Sequence, residues 1–132
     1  MGYHTGVDFE ILPGEENTDV AVKAMNDGVV LQKRFASGYG GVIVVSSMVD
    51  NQPVTIVYGH LRLSSIQAKV GDKIKAGETI GFLGNGCSKE TDGERKHLHL
   101  SIHKGTEVNI RGYVKSKELL NDWVDPCLYL KQ

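Results

Sequence analysis

The chain has 132 residues, a formal net charge of −1, 40% hydrophobic and 23% charged side chains. That length suits one domain, large enough to bury a core without disulfides or metal merely to fold. The near-zero charge supplies no basic field for nucleic acid or an anionic membrane. The longest apolar stretch, around Gly41 to Val45, falls far short of the ~20 residues of a membrane span.

Taken in order, the segments read mainly as strands. Val20 to Met25 alternates, placing Val20, Val22 and Ala24 on one side. Val29 to Gln32 follows Asn26-Asp27-Gly28, a hairpin signal. Val42 to Ser46 is β-branched almost throughout and predicts a strand buried on both faces. Val54 to Tyr58 is another such run, joined to it by a hairpin connection through Asp50-Asn51-Gln52-Pro53. Ile80 to Leu83 and His97 to His103 follow, separated by Gly84 to Lys96, a polar stretch that predicts an exposed loop. Ser116 to Trp123 reads as a short helix with Ser116 as N-cap, stopped by Asp125-Pro126. The 16 glycines punctuate these runs as turns require. Residues 1–132 are therefore expected to form one mainly β, antiparallel domain, acting as a monomer and excised from a longer protein. Cys87 and Cys127 make no C-x-x-C pair and read either as unpaired small residues or as a disulfide.

The five histidines carry the chemistry. His97 and His99 flank Leu98 on a strand, so both side chains leave one face ~6.5–7 Å apart at the backbone. His4 and Asp8 are also an even number apart, with Gly6 between them giving the backbone room. Two histidines and a carboxylate make a three-ligand set typical of catalytic zinc, with one position left for water. Zinc lowers the pKa of that water to about 7 and polarises a carbonyl. Further histidines then serve as general base and oxyanion donor, since no H-E-x-x-H carboxylate is present. On motif logic alone, this reading and incidental histidines stand level.

The chain is similar to the lysostaphin-like zinc metallopeptidases. HTGVDF (4–9) matches their first motif, and HLHLSI (97–102) their second. NDGVV, YGGVIV, IVYGHL, VGDKIKAGETIGFLG and VDPCLYL resemble the intervening and closing segments in the right order. The resemblance implies an antiparallel core of duplicated-hybrid-motif type and zinc ligands His4, Asp8 and His99. It implies catalytic roles for His60 and His97. The implied substrate is the stem or cross-bridge peptide of peptidoglycan, with glycine bridges and D-amino-acid cross-links both left open, and the implied location is the cell envelope or outside the cell. Tyr39 reads as a groove residue or an ordinary turn aromatic, and His103 as groove-side or surface. Arg95 and Lys96 stand where relatives carry Gly-Pro, and are expected to bind substrate carboxylates. Ser101 replaces a common acidic residue, and Gly14 to Asp19 reads as an insertion.

Three other readings stay open. A glucose-class phosphotransferase carrier shares H-x-G-x-D but has no use for His99. A lipoyl- or biotinyl-type carrier is suggested by VGDKIKAGETIG alone. A degenerate scaffold that regulates other wall hydrolases would have no reason to fill all five site positions.

Overall fold

A computed structural model describes residues 3–114 and 117–128. Eleven strands follow in chain order: β1 (Tyr3–His4), β2 (Val7–Glu10), β3 (Ala21–Lys23), β4 (Gly28–Ala36), β5 (Gly40–Val49), β6 (Gln52–Leu61), β7 (Lys73–Ile74), β8 (Thr79–Phe82), β9 (His97–Lys104), β10 (Tyr113–Val114) and β11 (Trp123–Val124). The main sheet runs β11-β9-β6-β5-β4-β7, and β2 shares the outer edge of β9 with β11. Every pairing is antiparallel, as the short β-branched runs predicted.

Alternation gives the central strands two faces with different jobs. Ile43, Val45, Ile56, Tyr58, Leu100 and Ile102 form the main core on one face. The β3–β8 ribbon covers it with Val22, Ala24 and Ile80. On the other face Val42, Val44 and Val57 build a smaller cluster with Ala36 and Tyr39, against Val108 and Ile110. This second face carries His97, His99, Ser101 and His103 along β9. Val42 to Val45 are at most 1% exposed, so this strand is buried on both sides as expected.

The β5–β6 hairpin forms, but its connection is shorter than read: Asp50 and Asn51, at φ 51° and 62°, make a two-residue turn of primed type, and Gln52 and Pro53 already belong to β6. The hairpin expected at Asn26-Asp27-Gly28 does not form. β3 pairs with β8 and β4 with β5 and β7, so the chain merely changes sheet there. Asp27 is engaged elsewhere, its carboxylate accepting from Ala76 N and its carbonyl from Ser47 Oγ. The expected C-terminal helix appears as a 3-10 segment, Lys117–Asp122, and Trp123 belongs to β11. Its N-cap, Ser116, lies outside the described residues.

The loop from Gly84 to Lys96 is exposed over much of its length but pinned at defined points. Thr91 is fully buried, its hydroxyl donating to Glu94 O at 2.6 Å. Asp92 accepts from Gly38 N at 2.6 Å, which ties the loop to the β4–β5 turn. Cys87 and Cys127 are both free and exposed, which settles the pairing left open by the sequence. Among the described residues, no helix is long and apolar enough to cross a membrane.

Candidate metal and catalytic centre

Strand register assembles the site. Asp8 on β2 stands opposite His99 on β9, and His99 opposite Gly59 on β6, so the three share one row and one face. Glu10 and His97 form the next row. Gly6 lets β2 approach: a Cβ there would stand 2.2 Å from the Leu100 carbonyl oxygen. His4 arrives on β1, held by pairing with β10.

The side chains converge on Asp8. Its Oδ1 lies 3.4 Å from His4 Nε2 and 3.4 Å from His99 Nδ1, and it is buried with no hydrogen-bond partner. The three ligand atoms all fall within 4.8 Å of one another. A buried carboxylate oxygen facing two imidazole nitrogens fits a cation between them. The mixed nitrogen and oxygen donors suit a zinc-like ion better than calcium or magnesium, which take oxygen. Burial, and then repulsion from His4, pushes His99 down to about 4, which leaves its ring neutral and able to ligate at physiological pH.

Backbone carbonyls fix the histidine tautomers. A carbonyl only accepts, so the ring nitrogen facing it carries the proton. His4 Nδ1 donates to Gly6 O, His60 Nδ1 to Tyr39 O at 2.9 Å and His97 Nδ1 to Arg95 O at 2.7 Å. Nε2 is therefore the reactive nitrogen of all three. The His60 and His97 rings lie 4.3 Å apart between centroids, and His97 Nε2 is 3.6 Å from Asp8 Oδ1.

His60 reaches this face through a backbone irregularity. Strict alternation would send it with Tyr58 into the main core. Its φ is 68°, a left-handed conformation that disfavours a bulky residue, and the β5–β6 register slips between Gly41 and Val42. That bulge turns the imidazole towards His97. Burial, and then repulsion from His97, holds the His60 pKa below the usual histidine value.

A pocket of about 390 Å³ contains His4, Asp8, Tyr39, His60, His97 and His99 together, with Glu94 and Arg95 at its edge. Three further positions complete the account of the predicted residues. Arg95 is 55% exposed at the rim, and its guanidinium grips both oxygens of Glu10 at 2.8 and 2.5 Å. Its Nη2 also lies 3.6 Å from Asp8 Oδ2. Lys96 does not join the rim. It is 6% exposed, and its ammonium donates to Thr18 O at 2.5 Å and Glu15 O at 2.9 Å, which corrects its assignment to substrate carboxylates. His103 is buried against Trp123, rings 4.8 Å apart, rather than at the groove or surface. Glu10 and Gly59 were not singled out from sequence, although Glu10 shares the parity of Asp8 and Gly59 precedes His60.

The Lys96 contact has a direct test. Lys96→Met leaves the Glu15 and Thr18 carbonyls without their buried donor, which costs about 1–3 kcal/mol. Hydrogen exchange across residues 12–19 should accelerate while metal content stays unchanged. Unaltered exchange there would show that the ammonium is not the anchor of that segment.

Comparison with known proteins agrees with this geometry. Residues 2–110 match peptidase family M23. The chain is 34% identical over 102 residues to endolysin 2638A of Staphylococcus phage 2638A, covering 76% of the chain and 19% of that protein. It is 34% identical over 84 residues to the glycyl-glycine endopeptidase ALE-1 of Staphylococcus capitis, covering 64% of the chain and 21% of that protein. The chain thus spans about a fifth of the length of these curated relatives. Among solved structures, the catalytic domain of the antimicrobial peptidase lysostaphin from Staphylococcus simulans superposes with a TM-score of 0.66 at 25% identity, over 100% of this chain and 90% of that one. The strands that place His4, Asp8 and His99 around one point are thus those of a peptidase fold, and the chain belongs to peptidase family M23.

Proposed function

We propose that the chain is the catalytic domain of a zinc-dependent endopeptidase that hydrolyses peptide bonds in the stem or cross-bridge of bacterial peptidoglycan. The observation that carries this reading is the convergence of His4, Asp8 and His99 within 4.8 Å, with two further histidines in the same pocket. The resemblance to lysostaphin-like enzymes supports the substrate class, as do relatives named as an endolysin and a glycyl-glycine endopeptidase.

His4 Nε2, Asp8 Oδ1 and His99 Nδ1 would hold the metal. When bound, zinc supplies Lewis acidity that polarises a carbonyl and acidifies a water. The chain's own residues manage the protons. His60, kept neutral by burial, presents its Nε2 lone pair and suits proton uptake. His97 Nε2, on the metal side of the pair, can stabilise charge on the carbonyl oxygen or return a proton to the leaving amine once it has itself taken up a proton, since its Nδ1–H is committed to Arg95 O. Arg95 at the rim stays a candidate for binding substrate carboxylates, in competition with Glu10.

Digestion of purified muropeptide fragments, with mass spectrometry locating the cut, tests the reading. New termini within the peptide part, abolished by a chelator and restored by zinc, are expected. Cleavage confined to glycan linkages, or no cleavage of any wall fragment by zinc-loaded protein, would overturn it.

A further inference from the structure

We propose that Tyr39 is a positioning residue that serves both halves of the centre at once, its hydroxyl fixing His99 and its main-chain carbonyl fixing His60. The metal half of this inference rests on the zinc reading above.

His99 turns Nδ1 towards Asp8, so its ligating nitrogen is Nδ1 and its proton must reside on Nε2. That Nε2 lies 3.4 Å from Tyr39 Oη. The same hydroxyl donates to the Ile110 carbonyl at 2.6 Å. A carbonyl only accepts, so the hydroxyl proton is committed to Ile110, and Tyr39 offers His99 an oxygen lone pair. The resulting chain runs His99 Nε2–H to Tyr39 Oη–H to Ile110 O, and it selects the tautomer that leaves Nδ1 free for the metal. Partners of this kind orient a ligating histidine and typically govern metal affinity by 10–100-fold. The Tyr39 carbonyl separately accepts from His60 Nδ1 at 2.9 Å, which leaves Nε2 as the reactive nitrogen.

Two glycines make room for this arrangement. A Cβ on Gly59 would stand 2.6 Å from Tyr39 Cδ1, and one on Gly112 would stand 3.0 Å from the hydroxyl. The ring is 7% exposed and packs edge-on to His99 with centroids 5.0 Å apart. Little of it is left to bind substrate.

Tyr39→Phe separates the two contacts, since it deletes the hydroxyl and keeps the carbonyl. Zinc affinity, measured by competition with a chromophoric chelator, should fall ~10–100-fold. The rise in melting temperature on adding zinc should shrink accordingly. Raising zinc to saturation should restore most of the kcat lost at limiting zinc, because the His60 contact survives. Zinc affinity within twofold of wild type, or a kcat loss that zinc does not restore, would overturn the assignment. Wild-type protein that binds no zinc would overturn this inference and the proposed function together. Should Tyr39→Phe fold poorly, Gly112→Ala crowds the same hydroxyl, and the same outcomes decide.

Discussion

Replacing His60 by glycine should lower kcat by ~10²–10⁴-fold, the usual loss when a positioned acid–base group is removed, while zinc content stays at the wild-type level. His60 is in the pocket but outside the set of atoms that converge on Asp8. Its left-handed φ of 68° adds a second expectation. The His60→Ala variant keeps that strained conformation and His60→Gly does not, so the glycine variant should be the more stable of the two by about 1 kcal/mol. Denaturation curves of both variants measure this. Alanine equal to or better than glycine would show that the bulge stores no strain at this position.

The same residue shapes the pH response. Burial and His97 both depress the His60 pKa, so its neutral form persists below the ordinary value of about 6.5. Wild-type kcat should therefore hold as pH falls through ~6.5 and decline only at lower pH. Metal-free protein should show the linked stability effect. In the unfolded chain, His60 and His99 take up protons near pH ~6.5, whereas folded His99 resists down to about 4. Stability is thus fully present above ~6.5 and is lost as pH falls from there towards 4.

Much of the fold was legible because it depends on local patterns. The β-branched runs from Val42 and Val54 form central strands, and Asp50-Asn51 tolerates the left-handed turn that joins them. His97 and His99 were legible because strand alternation puts both on one face of β9, whereas His4 and Asp8 lie on separate strands and meet only through the pairings of β1 with β10 and β2 with β9. What escaped depends on distant partners or on broken alternation. Nothing near Asn26 shows that β3 will pair with a strand more than fifty residues later. Lys96 looked like a rim cation because charge alone does not reveal that carbonyls of residues 15 and 18 will surround it. Its place in the chain made the rim plausible, yet alternation sends Lys96 away from the face that His97 occupies. His60 was found by resemblance, since the bulge that aims it contradicts the two-residue period.

The ligand set is the claim on which the chemistry depends. Removing one ligand from a three-ligand site should cost both the metal and nearly all activity, because among the described residues no fourth donor joins the set of His4, Asp8 and His99. His97 makes the assignment open to challenge, since its Nε2 comes within 3.6 Å of Asp8 Oδ1 while His99 Nδ1 comes within 3.4 Å. Elemental analysis of the purified wild type, His99→Ala and His97→Ala separates the two. One zinc per chain in the wild type, none in His99→Ala and one in His97→Ala is the expected result. Full zinc in His99→Ala with loss in His97→Ala would contradict it.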